Sequence, residues 1–485
     1  MLIWTVKQMK ENKKIIKVLI AICSLFLVLI VYLTYLQVFK SKEMIQNSYN
    51  RRQYQADETT VRGKIFDRNG TVLAYSEEKD KEQHRIYPYG SIYSHVIGYN
   101  SKVYGRSLLE AAYNNYLLGL DEYTKVFGLF SSSDKDTKEG NSLSLTIDHD
   151  LQKLAHELLG SRNGAVVAFD PKTGEILVLV SKPDFDTNAE SMEKSWKAMI
   201  ESQQAPFLPR ATQGLYAPGS TYKIVTSAAV IENRLDGIKF NDKGVITIDG
   251  KKISNSKGKA NGEIDLQKAL AVSSNVVFAQ LGVKLGQEKL IEMSNRVCFG
   301  SDIPFDIPVS KSLFPYQKME QNDMAAIAMG QGKILVSPLH MAMITSGIAN
   351  DGVIMKPFLV SSIVSSDGKR VKTTKPDEFR KIMEQSVANR VKKMMQEVVE
   401  SGTGKKAAIS GINVAGKTGT AENELTAQTK NKEHAWFVGF APVENPQIAV
   451  TVILEYSGSS GGAIAAPIAQ KVMVEYLKKL QLLHR

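Results

Sequence analysis

The chain has 485 residues, 43% of them hydrophobic, with a net charge of +11, against a soft prior of ~150 residues for one domain. That balance excludes a broadly disordered chain and implies a large core with a smaller module beside it. The positive excess comes with no basic-aromatic ladder and no nucleic-acid motif, so nucleic acid is not the expected partner.

Lys7, Lys10, Lys13, Lys14 and Lys17, against Glu11 alone, precede residues 18–39, a run of 22 residues without a charge. At ~1.5 Å per residue this run is long enough to cross a ~30 Å hydrocarbon layer. The lysines place residues 1–17 in the cytoplasm, with everything from Lys40 onward outside. A cleaved signal peptide has an apolar region of only ~7–15 residues, and no small-x-small site follows Leu36-Gln37-Val38-Phe39-Lys40. The expectation is a cell-membrane protein with one uncleaved anchor at 18–39.

Residues 40–140 mix short β-type runs with glycine and charged turns, which predicts a narrow membrane-proximal module. The polar stretch 131–140 is its candidate linker. Residues 141–485 read as one domain of the α+β (α/β) class. Strands are predicted at 165–169, 176–180, 435–440 and 448–454, with a closing helix at 465–483 and helices between, hence an antiparallel sheet flanked by helices. Lys172-Thr173-Gly174 follows Asp170-Pro171 between two of these strands and reads as a hairpin turn. Cys23 and Cys298 are the only cysteines, so the exterior part has no intramolecular disulfide. Cys298 reads as a small buried apolar residue. His156-Glu157 begins like a zinc-protease helix, but Gly160 stands where the second histidine is needed, and neither metal nor cofactor is expected.

The chemistry-bearing residues come in three pieces. Ser-x-x-Lys occurs seven times, starting at Ser76, Ser132, Ser191, Ser220, Ser254, Ser256 and Ser366. A hydroxyl nucleophile needs a base one helical turn away on the same face. Five of the seven lie in polar stretches read as loops, and Ser191 lacks a preceding Pro-Gly turn. Ser220 alone follows such a turn, Ala217-Pro218-Gly219, and opens the apolar run 224–231, a predicted buried helix. The free N–H groups and positive end of that helix suit a developing oxyanion. Ser273-Ser274-Asn275 falls near the end of a helical stretch at 266–272. Lys417-Thr418-Gly419-Thr420 follows a short strand at 412–416, where Gly416 lets a ligand backbone approach. Ser161-Arg162-Asn163 in a turn, and Ser48-Tyr49-Asn50 beside the anchor, are decoys.

In this order the pieces resemble the penicillin-recognising serine acyl-enzymes, and more closely a class B penicillin-binding protein. The resemblance extends to Arg62-Gly63-Lys64-Ile65-Phe66-Asp67-Arg68-Asn69-Gly70 with Leu73-Ala74, and to Tyr104-Gly105-Arg106-Ser107 through Glu110. It continues in Leu145-Thr146-Ile147-Asp148 with Gln152, Gly330-Gln331-Gly332 with Ser337-Pro338-Leu339, and Ala435-Trp436-Phe437-Val438-Gly439-Phe440.

It implies the penicillin-binding transpeptidase fold on an elongated pedestal, at 141–485 and 40–140. It implies a peptidoglycan D,D-transpeptidase acting on stem peptides ending in D-alanyl-D-alanine and inhibited by β-lactams. Lys223, desolvated beside Lys417, would take the proton of Ser220. By the resemblance, the backbone N–H groups of Ser220 and Thr420 form the oxyanion hole, Ser273 shuttles a proton and Asn275 holds Lys223 and the substrate amide. Lys417, Thr418, Gly419 and Thr420 then bind the substrate's terminal region. The implied protein partner is a polytopic glycan polymerase of the shape, elongation, division and sporulation group.

Two alternatives use the same serine. A membrane-anchored β-lactamase needs a deacylating carboxylate, and Glu292-Met293-Ser294-Asn295 is a weak match read as a solvated helical stretch. A penicillin-sensing receptor would resemble class D hydrolases, with further spans and a zinc-protease motif.

Overall fold

The computed structural model describes residues 2–36, 60–79, 82–121, 138–422 and 432–483. Its first unit carries a helix over Leu2–Tyr35. The segment apolar enough to span a membrane is Ile15–Tyr35, 21 residues, or about 31 Å at ~1.5 Å per residue. The expected end of the anchor at Phe39 and the decoy at Ser48 lie outside the described residues.

Residues 59–485 form the second compact unit. Its central sheet runs Ile176–Lys182, Gly164–Phe169, Ile448–Leu454, His434–Ala441 and Ala415–Ala421, every neighbour antiparallel. The four expected strands are present, three of them longer by one or two residues, because ladder partners extend them beyond their apolar runs. The pleat sends alternate residues to opposite faces. Val166, Ala168, Val450 and Val452 pack with Ala465, Ala469 and Val472 of the closing helix Gly461–Lys479. Ala165, Val167, Phe169 and Ile453 face the inner core with Val225, Phe278 and Ile344. Both faces are therefore covered, and these strands read as unbroken apolar runs instead of alternating ones. Lys172-Thr173-Gly174 is the expected turn, with the Asp170 carboxylate accepting from the Lys172 and Thr173 N–H groups.

A second, six-stranded sheet was not legible in the sequence. Its order is Arg370–Thr373, Val360–Val364, Ser142–Leu145, Ile65–Phe66, Val72–Lys79 and Glu82–Ile86. Leu143 pairs with Ile65 on one side and Ile363 on the other, so the ladder crosses position 140. Part of the expected linker is strand as well: Lys138–Glu139 pairs in parallel with Thr60–Val61, and residues 122–137 lie outside the described part. Close backbone approach explains two glycines here. A Cβ on Gly63 would lie 1.9 Å from the Asn141 carbonyl oxygen, and one on Gly140 1.8 Å from that of Leu117. Ser76 and Ser254, read as loop residues, lie in strands instead. Both pair within local hairpins, Ser76 with Arg85 and Ser254 with Val245, whose polar, charged composition reads as loop.

Beside this sheet, buried Glu110 receives Arg62 Nε at 2.6 Å and Arg85 Nε at 2.7 Å. Arg62 also donates to Asn114 Oδ1 at 2.6 Å. The two signatures around Arg62 and Glu110 thus meet as one buried ion cluster.

Candidate active site

The turn before Ser220 is shaped by glycine. Gly219 has φ +54°, a left-handed value that favours a residue without a side chain. Its N–H donates to the Gly330 carbonyl at 2.9 Å, and a Cβ on Gly330 would lie 2.1 Å from the Gly219 carbonyl oxygen. Gly330-Gln331-Gly332 is therefore a brace on this turn. Trp436 Nε1 donates to the Ala217 carbonyl at 3.1 Å and holds its other side. Residues Gly219–Tyr222 make one 3₁₀ turn that runs into the helix Lys223–Glu232. The expected buried helix is thus present, with Ser220 half-buried at its mouth and Lys223 fully buried.

Ser273 falls just past the end of the helix that closes at Ala271, near the expected helix end. It has φ +58° and forms the elbow between helices Leu266–Ala271 and Asn275–Arg296. Lys417 does depart from its expected place: it lies inside the strand Ala415–Ala421, paired with Val438, and does not follow a strand. Ladder bonds to His434–Ala441 carry the strand through Lys417-Thr418-Gly419-Thr420. That strand rests against the Ser220 turn, since a Cβ on Gly219 would lie 2.9 Å from the Thr420 carbonyl oxygen, and one on Gly419 3.2 Å from that of Pro218.

Three motifs far apart in sequence thereby share one cleft. Lys223 Nζ donates to Asn275 Oδ1 at 2.7 Å, to the Ser273 carbonyl at 3.0 Å and to Ser273 Oγ at 3.4 Å. Lys417 Nζ donates to the same Ser273 Oγ at 3.0 Å and to the Thr418 carbonyl at 2.9 Å. The Thr418 hydroxyl meets the Thr403 hydroxyl at 2.6 Å, and Thr420 is exposed at the strand's outer side. Ser220 and Lys223 lie one turn apart along this chain.

Burial sets the charge of the two lysines. Desolvation, then the Lys417 charge, push the Lys223 ammonium well below its ordinary value, and Asp242 opposes them. Burial alone pushes Lys417 down to about 7. Both environments favour the neutral amine over the ammonium, and at Lys223 a neighbouring cation adds to the effect of burial.

Sequence reading missed Asp242 and Asn255. The buried Asp242 carboxylate accepts from Gly244 N at 2.9 Å, Asn255 Nδ2 at 2.8 Å, Asn261 Nδ2 at 2.6 Å and Ser274 Oγ at 2.8 Å. Asn255 Oδ1 in turn accepts the N–H groups of Asn275 at 2.8 Å and Val276 at 3.1 Å. This pair fixes the elbow from behind, and no local pattern joins residues from separate strands and helices. Replacing Asp242 with Asn is expected to orphan at least one buried donor, at ~1–3 kcal/mol. Removing a charge that raises the Lys223 pKa also moves the acid limb of serine acylation to lower pH. Thermal unfolding and a pH series of acylation rates check both; an unmoved limb would uncouple Asp242 from Lys223.

The decoys fall elsewhere. Lys194, one turn after Ser191, is exposed and paired with Glu190. Glu292 is exposed and paired with Lys289, as a solvated helical residue. His156 pairs with Asp184, and Cys298 is buried. Ser132 lies outside the described residues.

Comparison with known proteins identifies the family. Residues 164–474 match the penicillin binding protein transpeptidase domain, and residues 62–143 match the penicillin binding protein A dimerisation domain. The peptidoglycan D,D-transpeptidase PbpA of Mycolicibacterium smegmatis is 32% identical over 504 residues, covering 96% of this chain and 99% of the relative. Among solved structures, a D,D-transpeptidase domain from Eggerthella lenta has a TM-score of 0.77 at 34% identity, covering 88% of this chain and 100% of that one. The ceftriaxone acyl-enzyme of penicillin-binding protein A from M. tuberculosis has a TM-score of 0.81 at 29% identity, covering 86% and 98%. With the fold, the ordered motifs and these matches in agreement, the chain belongs to the class B penicillin-binding proteins, with a dimerisation-type and a transpeptidase domain.

Proposed function

We propose that the chain is a peptidoglycan D,D-transpeptidase working through a Ser220 acyl-enzyme. One observation carries the residue assignment: Lys223, Ser273, Asn275 and Lys417 converge within hydrogen-bond distance at the mouth of the Ser220 helix.

Neutral Lys223 takes the Ser220 proton as Oγ attacks the carbonyl carbon of the penultimate D-alanine. Negative charge then develops on the carbonyl oxygen, and the N–H groups of Ser220 and Thr420 are assigned to receive it. The C–N bond breaks, Ser273 passes the proton held by Lys223 to the leaving nitrogen, and D-alanine departs. An acceptor amine attacks the ester carbon and loses its proton to Lys223, the C–Oγ bond breaks, and Lys223 returns that proton to Ser220 Oγ, leaving one new amide and the free serine. Cationic Lys417, with Thr418 and Thr420, holds the terminal carboxylate, and Gly419 lets the peptide lie close to the strand.

A β-lactam carbonyl enters the same first step, in line with the penicillin G and imipenem acyl-enzymes solved for the M. tuberculosis relative. Intact-mass analysis of the full-length protein with penicillin, followed by peptide mapping, tests the assignment. The adduct is expected on Ser220 and to persist; an adduct on another residue removes the assignment, and rapid loss of the label favours a β-lactamase.

The anchor reading places the N-terminus in the cytoplasm and the catalytic part outside, where the polymer lies. A glycan polymerase is the proposed partner through the anchor and the pedestal. Exchange of residues 18–39 for an unrelated span is expected to reduce co-purification of the polymerase; unchanged recovery would remove the anchor from that contact.

A further inference from the structure

Between strands Phe240–Asp242 and Gly262–Ile264 the chain makes an excursion whose hairpin pairs Val245–Ile248 with Lys251–Ser254. Lys243, Lys251, Lys252, Lys257 and Lys259 are all exposed, and Asp249 is the one acidic residue among 243–259. None of the five lysines is in an ion pair among the described residues, whereas Lys239, just before the excursion, pairs with Glu263. The outward face of the hairpin, Val245, Thr247, Lys252 and Ser254, is exposed along its length. Like charges placed together on a small hairpin repel, and nothing in the core requires them.

The excursion is joined to the active site at its base. Asn275 Nδ2 donates to the Ser254 carbonyl at 2.9 Å, and Asn255 Oδ1 accepts the Asn275 N–H at 2.8 Å. Asn255 Nδ2 donates to the Lys259 carbonyl at 2.8 Å, and its backbone N–H to that of Gly244 at 2.9 Å. This knits the backbones next to Lys243, Lys257 and Lys259 into one base. Lys252 is three residues from Asn255, or about 10 Å of extended chain.

We propose that the lysine-rich excursion 243–259 is an electrostatic docking surface for the polyanionic peptidoglycan strand, gripping carboxylates of stem peptides beside the one being processed. The inference rests on the transpeptidase reading, under which every uncleaved stem ends in a carboxylate and a strand presents such groups in series. Lysine is suited to this because its ammonium is a point charge on a flexible stem, which attracts carboxylates at variable spacing. Exposed contacts of this kind raise local substrate concentration and weaken with salt.

The test uses the full-length protein in detergent, with Lys243, Lys251, Lys252, Lys257 and Lys259 all changed to Gln. Penicillin acylation of Ser220 reports the transpeptidase reading separately, because none of the five lysines is among the residues assigned to the acyl-transfer step. With acylation intact, the variant is expected to co-sediment with purified peptidoglycan sacculi at least ~10-fold more weakly at low salt, and the wild type to lose the same advantage as salt rises. Sacculi stripped of phosphodiester polymers should behave the same. Unchanged binding by the acylating variant would overturn the docking surface, and so would a difference confined to phosphodiester-bearing sacculi. Failure of wild-type acylation would instead remove the transpeptidase reading.

Discussion

Replacing Lys223 with Ala is expected to slow penicillin acylation by ~10²–10⁴-fold, the range by which a positioned base accelerates proton transfer. Ser220→Ala abolishes the adduct, so the two variants separate loss of the base from loss of the nucleophile. The pH dependence follows from the burial of the two amines. Lys223 is held well below its ordinary 10.5, so acylation rises with pH as it deprotonates. Lys417, down to about 7, loses its charge as pH rises through that value, and carboxylate capture weakens. The product is a bell-shaped profile in kcat/KM, since that ratio reports the free enzyme. A bound carboxylate raises the Lys417 pKa, so the alkaline limb is expected to fade in kcat. A Lys223→Ala profile that keeps the acid limb would assign the base to another group. The same depressions affect folding: between about 7 and 10.5 the unfolded chain binds the Lys417 proton that the folded chain has released, so stability rises with pH across that window.

Changing Glu110 to Gln is expected to destabilise the fold by ~3–5 kcal/mol, because the buried Arg62 guanidinium is left without its counter-charge. Burial by itself pushes the Glu110 carboxyl up, but Arg62 and then Arg85 outweigh it and hold the group down to about 2. Tyr87 adds a hydroxyl donor at 3.2 Å. The sign is that of a depressed carboxylate. Its contribution is full above the ordinary 4.5 and is lost as pH falls through about 2, so the gap between wild type and variant closes over that range. Thermal unfolding at neutral and acidic pH measures both quantities. A loss under ~1 kcal/mol would mean that the arginines relax into water at little cost. An Arg62→Met, Glu110→Gln double change is expected to recover part of the loss, since removing both charges avoids an unpaired one.

Much of this was legible from the chain because the signals are local. The Pro218-Gly219 turn before an apolar run selected Ser220 among seven equal spacings, and Gly219 does take the left-handed conformation that such a turn uses. The central strands declared themselves through unbroken apolar runs. The six-stranded sheet did not, because its members come from residues 65–86, 142–145 and 360–373 and are too short or too polar to signal alone. Nor did Asp242, whose partners Asn255 and Ser274 lie 13 and 32 residues away.

The sequence by itself determined which side chains are present for acyl transfer, in what order, and behind what apolar anchor. Only the tertiary structure decided their protonation. Lys223 and Lys417 are ordinary ammonium groups in an extended chain; packing strips their water, and Ser273 and Asn275 receive them in its place. Desolvation is a property of everything that surrounds a group, so no spacing of letters along the chain contains it.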